Sequence, residues 1–136
     1  MSCDPTPDVA WYIDTSAFLK LVVAEPESDP LRAWLASHDD IWSSELLRTE
    51  SLRAASRLGV ERRIVETALE VVALVLPGSA TFAVAGKLGP EAMCSLDALH
   101  LATALEMGAD LEGLVTYDHR MADGARELSL AVESPN

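Results

Sequence analysis

Apolar and polar positions along the chain alternate between two periods, and each change of period marks an element. Val9-Ala10-Trp11-Tyr12-Ile13 is a short run rich in β-formers, and Asp14-Thr15-Ser16 stops it. This predicts a buried strand running into a helix cap. Ala17 to Val23 reads as a helix that ends before Glu25-Pro26. A second short helix is expected over Ser28 to Ser37, with Pro30 in its first turn and Leu31, Trp34 and Leu35 on one face. Ile41-Trp42-Ser43 suits a short strand, Ser44 to Leu58 a longer helix closed by Gly59, and Glu61 to Val72 another helix. Leu74-Val75-Leu76 reads as a strand halted by Pro77-Gly78, and Ser79 to Lys87 is weakly helical. Ser95 to Met107 is a strongly apolar helix, capped by Ser95 and stopped by Gly108. Leu114-Val115-Thr116-Tyr117 is a strand ending at Asp118, His119 to Leu128 is helical, and Leu130-Ala131-Val132 is a last short strand. Strands alternating with helices predict an α/β fold: one domain over residues 1–136, with its core at about 11–132 and a central, mostly parallel sheet covered by helices on both faces.

Parallel sheets bind ligands at the carboxyl ends of their strands, and two strands here end in an aspartate, Asp14 and Asp118. An ordinary helix cap or turn explains either one by itself. Glu50 is more informative. On a wheel of about 100° per residue, it falls between Leu46 and Ala54, beside the arc of Leu47, Leu58 and Ala55. A carboxylate on that side needs a partner, and Arg53 or Arg57 on the same helix would be the plain choice. Asp97 lies in the first turn of the apolar helix, where an acid meets the positive end of the helix dipole. Four acids gathered together would repel unless cations neutralised them. Hard divalent ions such as Mg²⁺ or Mn²⁺ take oxygen ligands of this kind and serve phosphoryl chemistry.

The balance of charge sharpens this. Ten Lys and Arg against 22 Asp and Glu leave a net charge of −12 over 136 residues. A nonspecific polyanion binder, which works by neutralising phosphates with basic side chains, is excluded. Nucleic acid would have to be met through metal ions or a local basic patch. Arg48, Arg53, Arg57, Arg62 and Arg63 supply one such stretch, although pairing with Glu45, Glu61 and Glu66 is the plainer expectation. Cys3 and Cys94 match no metal-site or redox spacing, so free thiols in a reducing, cytoplasmic setting are expected. The acidic, Pro-punctuated Met1–Asp8 is unlike a signal peptide, and no apolar run is long enough to span a membrane.

Tyr12-Ile13-Asp14-Thr15-Ser16-Ala17, Ser43-Ser44-Glu45-Leu46-Leu47-Arg48-Thr49-Glu50, Leu96-Asp97-Ala98-Leu99-His100-Leu101-Ala102-Thr103-Ala104 and Val115-Thr116-Tyr117-Asp118 resemble, in order, the four acidic motifs of PIN-domain ribonucleases. They are most similar to the VapC-type toxins of bacterial toxin–antitoxin pairs. The resemblance runs from Trp11 to Val132, and its most specific part is the Leu-Asp-Ala-Leu-His-Leu-Ala-Thr-Ala run. It implies a single PIN-like domain with Asp14, Glu50, Asp97 and Asp118 as the catalytic and metal-binding set, and Ser16 and Thr116 as supporting hydroxyls. It further implies Mg²⁺, with Mn²⁺ as a substitute, and hydrolysis of an RNA phosphodiester. The RNA would be transfer RNA or another structured RNA. A cognate antitoxin would act as inhibitor, its groove lying near the first two helices, and the toxin would form a homodimer with no membrane association. His119 and Arg120 fall at positions given no role.

Competing readings are weaker. A phosphoaspartyl phosphatase needs an aspartate where Ser16 stands, and a phosphoacceptor domain needs a lysine after a late strand, whereas the only lysines are Lys20 and Lys87. Gly86-Lys87 lacks the spacing of a phosphate-binding loop. A catalytically silent RNA- or partner-binding module of the same fold is the principal alternative. His100, three residues after Asp97, is either a satisfied core histidine or a partner of the acidic site.

Overall fold

The computed structural model describes residues 9–91 and 93–136; Cys3 and the Met1–Asp8 stretch lie outside the described residues. The strands are β1 (Ala10–Ile13), β2 (Ile41–Ser44), β3 (Ala73–Val75), β4 (Leu111–Val115) and β5 (Ala131–Glu133). The helices are α1 (Thr15–Leu19), α2 (Ser28–Ala36), α3 (Leu46–Leu58), α4 (Arg62–Leu69), α5 (Ser79–Ala85), α6 (Ser95–Leu105) and α7 (His119–Glu127), with one 3₁₀ turn at Gly108–Asp110. The sheet runs β3-β2-β1-β4-β5 and every neighbouring pair is parallel. β1 is central, with Ile13 beside Val115, so the chain leaves β1 and β4 side by side.

Side chains along these strands alternate between two cores, as the pleat requires. Trp11, Ile13 and Val115 join Phe18, Leu31, Leu47 and Val65 on one face. Tyr12 and Leu114 join Leu101, Ala104, Met121 and Ala125 on the other. α6 buries every residue from Ala98 to Ala104, so the strongly apolar segment is the helix that closes the second face. Both faces are covered, as the alternation of elements predicted. None of the described helices is long and apolar enough to cross a membrane.

Several boundaries differ from expectation. α1 begins at Thr15, two residues early, and stops at Leu19; tight turns through Val23 then replace the longer helix. Ser44 completes β2, so α3 begins only at Leu46. Leu58, placed on the core arc of α3, is 60% exposed because the helix has passed the edge of its partner layer. Gly59 closes α3 as expected, adopting φ 74°. α4 ends at Leu69 rather than Val72, and Ser95 is the first helical residue of α6, with Cys94 in the cap position.

The largest difference is β4, which starts at Leu111 and ends at Val115, leaving Thr116 and Tyr117 beyond the strand. The expected strand begins only at Leu114, yet Gly113 is buried within the sheet. A Cβ there would lie 2.4 Å from the Ala131 carbonyl oxygen and 2.8 Å from the Trp11 ring. The glycine lets β5 and Trp11 close onto β4.

Candidate active site

Asp14 stands where β1 ends and caps α1, its Oδ1 accepting from the Ala17 backbone N–H at 3.0 Å. The same oxygen accepts from the Ser16 hydroxyl at 2.7 Å, and Oδ2 accepts from the Thr116 hydroxyl at the end of β4. Ser16 Oγ in turn accepts from the Tyr117 N–H at 3.0 Å, and Thr116 Oγ1 from the Asp118 N–H at 3.0 Å. The parallel pairing of β1 with β4 therefore brings Asp14, Ser16, Thr116 and the Asp118 backbone into one hydrogen-bonded unit. Asp14 is only 3% exposed. Burial pushes its carboxyl above the ordinary range, against the opposing pull of the Thr116, Ser16 and Ala17 donors.

Glu50 projects from α3 toward the same edge, with its side chain 21% exposed. Its Oε1 meets His100 Nε2 at 2.5 Å and accepts from the Thr15 hydroxyl at 2.9 Å. Burial opposes the Glu50 carboxylate, but the His100 and Thr15 contacts outweigh it and hold its pKa below the ordinary value. The partner expected from helical spacing, Arg53 or Arg57, is replaced by a histidine fifty residues away in sequence. His100 is indeed a satisfied core histidine, and its second nitrogen, Nδ1, meets the Tyr12 hydroxyl at 2.6 Å.

Asp118 caps α7, its Oδ1 accepting from the Arg120 and Met121 amides at 2.8 and 3.1 Å. Asp97 sits in the first turn of α6, half-buried, and lies against the Cys94 thiol. It precedes His100 by three residues, roughly 4.5 Å along the helix axis. Asp14 follows β1, Asp118 lies three residues past β4, and Glu50 reaches Thr15 beside Asp14. Among the described residues, however, no three His, Cys, Asp or Glu side chains stand close enough to hold a metal ion in this arrangement. Asp14, Glu50 and Asp118 are instead each held by donors of their own.

The donor set suits a hard cation all the same. The ligands on offer are carboxylate and hydroxyl oxygens, and Asp14 is a buried carboxylate with no Lys or Arg paired to it among the described residues. A buried anion of this kind calls for a counter-charge. Sequence reasoning missed two contributors, Thr15 and Tyr12. Neither carries a signal of its own, because each acts through a contact 35 or more residues away.

Three of the five arginines from 48 to 63 are tied to the acids expected of them: Arg48 to Glu45, Arg62 to Glu66 and Arg63 to Glu61. Arg53 and Arg57 are exposed and carry no ion pair among the described residues.

Comparison with known proteins gives a consistent picture. The PIN domain family model matches residues 11–127. Ribonuclease VapC46 of Mycobacterium tuberculosis is 43% identical over 128 residues, covering 93% of this chain and 98% of that protein. Ribonuclease VapC47 of the same species is 38% identical over 133 residues, covering 91% and 96%. Two solved structures share the fold with a TM-score of 0.70. One is M. tuberculosis VapC20, described as a Sarcin-Ricin loop cleaving toxin, at 16% identity over 83% of this chain and 93% of that one. The other belongs to a toxin-antitoxin complex from Klebsiella pneumoniae, at 21% identity over 92% and 97%. At these identities the structural likeness speaks of the fold alone.

Proposed function

The chain belongs to the PIN-domain family, alongside the VapC ribonucleases, and from that premise we propose that it is a divalent-metal-dependent endoribonuclease toxin held in check by a cognate antitoxin. The observation that carries this reading is Asp14: a buried carboxylate without a cationic side chain, at the meeting point of the two central strands. Asp14, Glu50, Asp97 and Asp118 form the acidic set, and Ser16 and Thr116 are the hydroxyls that hold Asp14 in place.

In this reading Asp14 and Asp97 hold Mg²⁺, or Mn²⁺ in its place, with Glu50 and Asp118 completing the set. The ion supplies Lewis-acid stabilisation of a phosphodiester and a water of lowered pKa. The protein's own part is to orient the carboxylates. Thr116 and Ser16 fix both Asp14 oxygens, His100 and Thr15 fix one Glu50 oxygen, and the start of α7 fixes one Asp118 oxygen. Attack of such a water on phosphorus would need no ribose 2′-hydroxyl and would expel the 3′-oxygen.

The substrate is RNA, with transfer RNA or another structured RNA as the expected class. A chain of net charge −12 repels RNA at long range, so approach relies on the cation and on local basic side chains, of which Arg53 and Arg57 are unpaired among the described residues. The same acidity suits a basic antitoxin segment. We place the protein in the cytoplasm, as a homodimer when free of antitoxin.

The test is to incubate antitoxin-free protein with total cellular RNA in Mg²⁺ or EDTA and to map new 5′ ends. Discrete cuts in Mg²⁺, absent in EDTA and absent with Asp97→Asn, are expected. Folded, metal-loaded protein that makes no cuts would replace this reading with a silent binding module. Light scattering on the same sample reads the oligomeric state.

A further inference from the structure

His100 is 1% exposed and both its ring nitrogens are engaged. The Tyr12 hydroxyl lies 2.6 Å from Nδ1, and Glu50 Oε1 lies 2.5 Å from Nε2. Tyr12 is wholly buried. The Glu50 carboxylate can only accept, so Nε2 carries a proton and donates it to Oε1. The contacts run from the side chain of Tyr12 on β1 through His100 in the middle of α6 to Glu50 on α3. Tyr12 and His100 are both buried.

Glu50 is held asymmetrically. His100 and Thr15 both converge on Oε1, whereas Oε2 has no hydrogen-bond partner among the described residues. No buried side-chain oxygen or nitrogen among them lacks a partner, so Oε2 is in contact with solvent. One oxygen is anchored in the protein and the other is offered outward.

We propose that His100 is a positioning residue of this site: braced by Tyr12, it grips Glu50 by Oε1, so that Glu50 meets a cation through Oε2 alone. The inference rests on the reading of the acidic set as a cation site and adds how one member of that set is aimed. A histidine with only a packing role would stabilise the fold and leave cation affinity untouched. A positioning histidine sets the affinity of the folded protein, because a carboxylate free to rotate must be ordered each time it binds.

The experiment measures Mn²⁺ affinity by electron paramagnetic resonance on the metal-stripped full chain, without RNA, alongside thermal unfolding. His100→Ala is expected to weaken Mn²⁺ binding by about 10-fold or more, the usual effect of losing a group that orients a ligand. His100→Gln, whose amide supplies a donor toward Oε1, is expected to recover most of that loss. Wild-type affinity in folded His100→Ala, or equal weakness in Ala and Gln, overturns the proposal. If His100→Ala does not fold, Tyr12→Phe and Thr15→Val take its place. Each should weaken binding in the same direction, and wild-type affinity in both overturns it. Wild-type protein that binds no Mn²⁺ overturns it as well. The two readings fail separately. Protein that binds Mn²⁺ in a His100-dependent way but cuts no RNA defeats the nuclease assignment only. Protein that cuts RNA while its His100 variants keep wild-type Mn²⁺ affinity defeats the positioning role only.

Discussion

Asp14→Asn should abolish RNA cleavage and, in metal-free solution at neutral pH, make the protein more stable. The variant keeps the side chain's shape and an acceptor for the Ala17 amide and the Ser16 hydroxyl, while its amide faces Thr116. What it removes is a buried charge. The carboxyl is raised by burial even after the three donors have acted, so the neutral form suits the folded site better than the anion. The folded state therefore keeps a proton at pH values where the unfolded chain, at about 3.9, has lost it. The resulting penalty on the wild type is absent well below pH 4, grows as pH rises through the raised pKa, and is complete above it. Each pH unit by which the carboxyl is displaced is worth about 1.4 kcal/mol, and a domain of this size moves by about 3–5 °C in Tm per kcal/mol. Thermal unfolding in EDTA from pH 4 to pH 8 should show the variant's advantage opening as pH rises. Adding Mg²⁺ should reverse the order. A ligand at 100 times its Kd stabilises the folded state by about 2.7 kcal/mol, and only the wild type retains the site. A variant less stable than wild type by the same amount at every pH would refute the argument and reduce Asp14 to a helix cap.

EDTA should stop cleavage and either Mg²⁺ or Mn²⁺ should restore it, read as loss and return of the same mapped 5′ ends. Asp118→Asn should keep the α7 cap and its stability while losing cleavage, whereas Asp118→Ala should lose cleavage and also about 1 kcal/mol of stability by urea unfolding. Gly113→Ala should cost about 3 kcal/mol or more, since its methyl would lie 2.4 Å from the Ala131 carbonyl oxygen. Gly124→Ala clashes with the terminal carbon of Met93, the far end of a flexible side chain, and otherwise makes ordinary contact with Leu101 Cδ2 at 3.4 Å, so its cost should be under about 1.5 kcal/mol.

Local patterns carried most of the fold. The β-forming run before Asp14, the glycine after Leu58 and the unbroken apolar surface from Ala98 to Ala104 each announced an element that exists. Errors came where a distant neighbour decides the local structure. The expected strand leaves Gly113 outside, although Trp11 and the β5 backbone need its space. The four acids were legible as a set from their motifs, and Glu50 even from its place on the helical wheel. Its partner was not. Spacing on one helix nominates Arg53 or Arg57; spacing from Asp97 brings His100 to the acidic site but not to Glu50, and nothing in a linear pattern nominates a tyrosine on β1. Crowding of the acids was anticipated, whereas the structure holds Asp14, Glu50 and Asp118 on separate donors.

The pairing of β1 with β4 also bears on how the protein is made. Asp14 relies on Thr116, 102 residues further along the chain, and β4 reaches its place beside β1 only after every intervening strand and helix has been threaded. Chains grow at about 5–20 residues per second and their domains fold as units. For several seconds a partly synthesised copy on the ribosome holds the first two acids and neither the strand that braces Asp14 nor the acid that follows it. With the proposed acidic set as its active site, a nuclease built in this order would be born inert beside the RNA that surrounds it, and become dangerous only when it is nearly whole.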